Sequence, residues 1–349
     1  MNFHLRNFSQ IEFIALVPLD SLLMERVLCN RILFMSRNSL IDFIRALLIF
    51  LVILVHIVHF GDLHTNVKSM ILAFLMPTFL VITGFLVNVE KSIADFCIYL
   101  TRIILPYVIM VCGYMVVSIY LPVRDGVKVL DFTTFYNVLF ITSIGPYWFF
   151  KVMILCGICY YVVFNFRRKG PLMSNEVYVR YIILAIFLLL LSQYTPFLSA
   201  KSAIYYFIGV GVRLFVGNFR KICIGTFWAV IPFIIILTNT EWRDWGEIYV
   251  LFCVICFLSI TTKVYQLSST KKICNMLLYI GKNTLPIYIF HPIFTMLSKY
   301  TVMYFGFDNT GILHALFTII LCVIGSILTA KVMDISHCSY IFARRTILR

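Results

Sequence analysis

The stretch SLIDFIRALLIFLVILVHIVHF, Ser39–Phe60, decides the fold class. Its apolar residues surround the helix axis and leave no polar face. A run of roughly 20 such residues matches the hydrocarbon thickness of a bilayer. Against that background Asp42, Arg45, His56 and His59 stand out. Ionisable groups inside a span cost several kcal/mol, so they mark candidate sites.

Working outward with the same ruler of roughly 20 residues gives about ten spans. After Ser39–Phe60 come Val67–Val89, Thr101–Leu121, Pro146–Phe166, Tyr178–Leu198 and Ser202–Gly217. Ile222–Asn239, Gly246–Thr262, Thr284–Tyr304 and Ile312–Met333 complete the set. The chain is 62% hydrophobic and 13% charged, against about 45–50% and about 25% in soluble domains. These values exclude a soluble globular protein. They predict an all-α polytopic membrane helical bundle over residues 37–335, with short loops.

The net charge of +14 would suggest nucleic-acid binding in a soluble chain. Here Lys and Arg sit between apolar runs, where they act as topology signals. Arg26, Arg31 and Arg37 precede the first span. Arg167, Arg168, Lys169 and Arg180 follow the fourth, Arg220 and Lys221 the sixth, and Lys263, Lys271, Lys272 and Lys282 the eighth. Arg344, Arg345 and Arg349 lie in a basic tail over 336–349. The alternate loops are balanced or acidic. The alternation predicts an even number of spans with both termini cytoplasmic, in a bacterial inner membrane. Residues 1–36 fit less well. They are read as an interfacial extension or as sequence upstream of the natural start, at Met24 or Met35. Cys156 and Cys159, like Cys253 and Cys256, make C-x-x-C pairs without a nearby histidine. They are expected to pack within helices, and no metal site is expected.

Arg45 and His56 are eleven positions apart. That is close to three whole turns, so they share a face about 16 Å apart along the axis. Asp42, one turn before Arg45, can pair with it. Such a helix could hold a cationic anchor at one end of a cavity and a titrating imidazole toward the other. The competing reading is an arginine that snorkels to the interface and interfacial histidines bonded to carbonyls.

Five segments carry a family resemblance. Arg37-Asn38-Ser39-Leu40-Ile41-Asp42-Phe43-Ile44-Arg45-Ala46 with Val55-His56 resembles the opening of the acyltransferase 3 family, whose first helix has an Arg-x10-His spacing. Phe74-Leu75-Met76-Pro77-Thr78-Phe79-Leu80-Val81-Ile82-Thr83-Gly84-Phe85 is similar to its M-P-x-F-F-x-x-S-G-Y segment, with Thr83 for Ser and Phe85 for Tyr. Thr101-Arg102-Ile103-Ile104-Leu105-Pro106-Tyr107 resembles R-I-x-x-P-Y, and Pro146-Tyr147-Trp148-Phe149-Phe150 resembles a W-F-L element. Ile280 to His291 resembles G-x-x-S-L-x-I-Y-x-x-H, with Thr284 for Ser. The five occur in the family's order.

The resemblance implies a bundle of about ten spans, independently of the loop charges. It implies acetyl transfer from cytosolic acetyl-CoA to a sugar hydroxyl of a surface polysaccharide or its lipid-linked precursor. The form expected is the standalone one, without the extra extracytoplasmic domain. His56 is then the candidate general base, or an acyl carrier. Arg45, oriented by Asp42, holds a phosphate or polarises the acyl path. Arg102 is a second anion contact or a topology anchor, and Trp148 a sugar platform or part of the aromatic belt. Tyr288 and His291, one turn apart, are divided between substrate binding and packing. Pro77 and Pro286 are expected to break their helices, and Thr83-Gly84 to allow close helix approach. Two other readings compete. A transporter or flippase of a glycolipid or small acid should show repeated halves with matching broken helices, and no clear repeat is visible. A non-catalytic assembly partner should tolerate loss of Arg45 and His56.

Overall fold

A backbone in hydrocarbon must satisfy its own hydrogen bonds, which leaves helices and closed barrels as solutions. The computed structural model describes residues 39–121, 126–165, 174–268 and 271–349. Among the described residues it is all-helical, with thirteen α-helices and no strand beyond one isolated bridge at Trp245 and Glu247. The N-terminal extension and its candidate start sites lie outside the described residues, as do Arg37, Arg167, Arg168 and Lys169.

The helices are α1 Ser39–His56, α2 Val58–Leu63, α3 Thr65–Leu86, α4 Ile93–Tyr120 and α5 Phe132–Tyr136. Then come α6 Trp148–Asn165, α7 Ser174–Tyr194, α8 Ala200–Gly211, α9 Val230–Thr238 and α10 Ile248–Ser268. The last three are α11 Lys272–Lys282, α12 Thr284–Ser298 and α13 Ile312–Ile335. Among the described residues seven helical stretches are long and apolar enough to cross a membrane. On α7, Ile182, Ile183, Ile186, Phe187, Leu189 and Leu190 are all exposed. So wide an apolar surface marks a lipid-facing helix, and the chain is a multi-pass membrane protein.

Three expected spans take a different form. α8 is continued by a π-turn, Val212–Val216, and α12 by a 3-10 stretch, Lys299–Phe305. The region read as Ile222–Asn239 is helical only over Val230–Thr238. Pro232 lies in the first turn of α9. It has no N–H to donate one turn back, and in the first turn of a helix that donor is not needed. The segment still travels the length of α3: Phe219 packs on Phe85 at one end, while Arg243 donates to Ser69 at the other, at 3.4 Å. Two helices read as loops in the sequence also appear, α5 and α11. α11 buries Cys274, Ile280 and Gly281, and a helix of 11 residues is shorter than the spanning ruler detects.

Pro77 does not break α3, which runs on to Leu86. Beside it, Thr78 Oγ1 donates to the Phe74 carbonyl at 2.6 Å, the bond of a threonine to the turn before it. Pro286 sits in the first turn of α12, after the junction with α11.

α3 packs most extensively on α8, and α12 on α13. The first contact depends on two glycines. A Cβ on Gly84 would collide with the Tyr206 carbonyl oxygen, and one on Gly209 with that of Val81. Backbone cannot swing aside as a side chain does. Gly84→Ala is therefore expected to destabilise the bundle by about 1–3 kcal/mol, read as a lower thermal midpoint of the purified protein in detergent. Gly113→Ala, where nothing lies within 4 Å of the new atom, is the matched control.

Candidate active site

α1 ends at His56 because the chain leaves helical geometry at Ile57, with φ −74° and ψ 107°. The His56 Nδ1 lies 2.7 Å from the Val52 carbonyl oxygen. A carbonyl only accepts, so this nitrogen carries the proton in the neutral ring. Nε2 is then the basic position.

Across from it stands His291 of α12. The two rings meet edge to face, with centroids 5.5 Å apart, and His291 is fully buried. Its orientation comes from the next residue. Pro292 has no N–H, so the Tyr288 carbonyl one turn earlier loses its helical donor. His291 Nδ1 takes that place, 3.0 Å from Tyr288 O and 3.1 Å from Ile287 O. Its Nε2 is buried and has no hydrogen-bond partner among the described residues. Both imidazoles are thus fixed through Nδ1, the tautomer that leaves Nε2 as the acceptor.

Pro292→Ala restores the N–H that competes for the Tyr288 carbonyl. It is expected to lower the turnover rate about threefold to tenfold, the worth of one hydrogen bond of about 1 kcal/mol. Donor binding should stay unchanged, and steady-state kinetics separate the two.

The Asp42–Arg45 end is built by the α11–α12 junction. Gly281 lies against the backbone of Asp42, with no room for a Cβ. This brings Thr284 to Arg45, whose Nη2 donates to the Thr284 hydroxyl. Arg45 Nη1 is 3.8 Å from Asp42 Oδ1, and Asp42 is buried. The guanidinium is therefore held from two sides rather than extended to the surface.

Tyr288 lies between the histidines and the aromatic start of α6. Its ring is 5.8 Å from His291 and 5.2 Å from Phe150. Its hydroxyl donates to the Pro146 carbonyl, and the Tyr147 hydroxyl donates to Ile289 O at 2.9 Å. The Pro146-Tyr147 segment is thereby tied to α12. Trp148 turns elsewhere, to within 5.9 Å of Trp245, which in turn meets Tyr205. Arg102 is exposed on α4, and its Nε donates to the Ala343 carbonyl at 3.1 Å. So Asp42 and Arg45 form one cluster, and His56, His291 and Tyr288 another. Arg102 is joined to the C-terminal residues, and Trp148 reaches Tyr288 only through Phe149, whose ring is 6.4 Å from Trp148 and 5.8 Å from Tyr288.

Sequence reasoning did not single out His314. It pairs edge to face with His59 at 5.5 Å, and its Nε2 lies 3.1 Å from Ser298 O. Along α13, His314, Thr318, Cys322 and Ser326 recur every fourth residue and are all buried. That spacing of polar groups in an apolar span was the available signal, since four-residue steps keep one helix face. Among the described residues no three His, Cys, Asp or Glu converge as a metal site would need, and every described cysteine is a free thiol.

The structure thus places a paired arginine and two tautomer-fixed histidines inside an all-helical membrane bundle. The family model of the acyltransferase 3 domain matches residues 38–331, and the chain belongs to that family. No curated protein and no solved structure matches it.

Proposed function

We propose that the protein is an O-acetyltransferase that moves an acetyl group from cytosolic acetyl-CoA to a sugar hydroxyl of a surface polysaccharide or its lipid-linked precursor. The family membership supplies the acyl transfer. The observation that carries the reaction is the His56–His291 pair, each ring held through Nδ1. His56 Nε2 takes the proton of the attacking hydroxyl as its oxygen bonds to the thioester carbon. The C–S bond then breaks, and the proton passes to the departing CoA sulfur. A neutral His291 beside His56 adds no like charge to the imidazolium that forms. Arg45, held by Asp42 and Thr284, supplies positive charge on the donor side. Arg102 belongs to the donor side as well. Trp148, with Trp245 and Tyr205, offers aromatic faces for the acceptor sugar.

The same reading puts the chain in a bacterial cytoplasmic membrane, with about ten crossings and both termini inside. Residues 37–335 form the catalytic bundle. The two histidines weigh against the transporter reading, because their fixed tautomers suit proton transfer from a bound hydroxyl to an imidazole Nε2.

The test supplies radiolabelled acetyl-CoA to membranes holding wild-type protein or His56→Ala. Label in the envelope glycan with wild type only supports the enzyme. Movement of a glycolipid across the membrane without label transfer supports the transporter instead.

A further inference from the structure

The residues after α13 fold back onto the bundle. Cys338–Phe342 form a 3-10 turn, and Phe342 and Ile347 are buried. The Asp334 carboxylate accepts from the backbone N–H of Ile347 at 2.7 Å and of Leu348 at 3.1 Å, and from the Ser339 hydroxyl. Arg349 N–H donates to Asn283 Oδ1 at 2.8 Å, and Asn283 Nδ2 donates to the Arg349 carbonyl at 3.3 Å. Asn283 directly precedes Thr284, the partner of Arg45. The tail is therefore anchored at the Arg45 end of the bundle.

That anchoring gathers cations. Arg102 Nε bonds the Ala343 carbonyl, and Arg344 Nη2 bonds the Arg102 carbonyl, both at 3.1 Å. Arg344 Nε is buried and has no hydrogen-bond partner among the described residues. Lys91, just before α4, holds its ammonium 4.5 Å from the centre of the Tyr99 ring on that helix. Burial, then Arg349 and Arg102, bring the Arg344 guanidinium down to about 10. Lys91 is also lowered, by burial first, with Asp95 opposing and Arg102 and Arg349 adding to the effect. The nearby carboxylates have other duties. Asp95 accepts from the Ser92 hydroxyl at the start of α4, and Asp334 holds the tail. Like charges held this close repel, and a bound anion would relieve the repulsion.

We propose that Lys91, Arg102, Arg344 and Arg349 form a phosphate-binding site, half of it supplied by the C-terminal tail, which holds the phosphates of the nucleotide-linked acyl donor. The proposal rests on the donor assignment of the preceding section. Guanidinium forks suit phosphate oxygens and bind them bidentately. The site lies at the Arg45 end, so a phosphate held there lets the thioester arm enter toward Arg45. The same chemistry would hold the phosphate headgroup of an anionic lipid.

The experiment measures binding of CoA and dephospho-CoA, which lacks the 3′-phosphate, to the full chain in phosphatidylcholine nanodiscs with or without phosphatidic acid. The variants are Arg344→Gln/Arg349→Gln, Lys91→Gln, and Arg345→Gln as an exposed tail control. Lys91→Gln leaves the tail contacts in place, so it separates lost charge from lost folding. The expected result is CoA binding about tenfold weaker in the double variant and in Lys91→Gln, the worth of a charge-assisted contact, with Arg345→Gln unchanged. Dephospho-CoA should bind wild type more weakly than CoA does. Unchanged CoA binding in the variants overturns the tail site and leaves the donor assignment standing. If the variants lose only phosphatidic acid, the site is a lipid site and the donor role is overturned. Wild type that binds no CoA overturns both readings together.

Discussion

His56→Ala is expected to lower acyl transfer by about 10²–10⁴-fold, the usual worth of a positioned general base. His56→Gln should do the same, because an amide can hydrogen-bond the hydroxyl but cannot take its proton. The loss should fall on turnover rather than on donor binding, since Arg45 and the tail lie at another level of the bundle. His56 also touches His291, so thermal unfolding of both variants must be compared with wild type. A fall in activity with an unchanged midpoint assigns the effect to chemistry.

Arg45→Ala is expected to cost about 10²–10³ in turnover, the range for removing one preorganised electrostatic donor. It carries a second effect that can mislead. Asp42 is buried beside Arg45, and loss of the guanidinium strands that carboxylate. A stranded buried charge destabilises by about 3 kcal/mol or more. The double variant Asp42→Asn/Arg45→Ala removes both charges, so it should recover most of the stability and none of the activity. Arg45→Lys keeps the charge but not the fork that spans Asp42 and Thr284, and should fall between. Activity assays beside thermal midpoints for the three variants separate these terms. Recovery of activity in the double variant would reduce Arg45 to a structural ion pair.

The sequence disclosed the bundle through one simple rule, the length of apolar runs. It failed where a run is short or broken. Residues 222–229 are as apolar as a span yet irregular, because Pro232 sets the helix start downstream of them. α11 was missed because its apolar residues occupy one face over only 11 residues. The break at Ile57 was also hidden, since neither proline nor glycine marks it.

Site residues were legible in proportion to how far contacts follow helix spacing. The Asp42–Arg45 pair is an i,i+3 relation, and the structure places it as the spacing implied. The His56–His291 pair joins helices more than two hundred residues apart, and only the family resemblance put both on the same page. The part played by Pro292 follows from chemistry readable in the sequence, a missing N–H next to a histidine. Pro286 is the proline expected to break this helix, yet it lies in the first turn of α12, where its missing N–H costs little. Arg102 stood out by motif, yet its partners belong to the tail, which in sequence reads only as a set of basic residues after the last span. Folding back of that tail depends on Asp334 and Asn283 accepting its N–H groups, a long-range relation that no local pattern encodes.

The central claim, transfer from a donor on one side to a sugar on the other, is tested most directly in sealed inside-out membrane vesicles. Acetyl-labelled acetyl-CoA is added outside, at the cytoplasmic face, with the acceptor glycan enclosed. The account predicts label in the enclosed glycan with wild type and none with His56→Ala at equal protein level. Wild type that binds acetyl-CoA but leaves the enclosed glycan unlabelled, or equal labelling by both proteins, would contradict it.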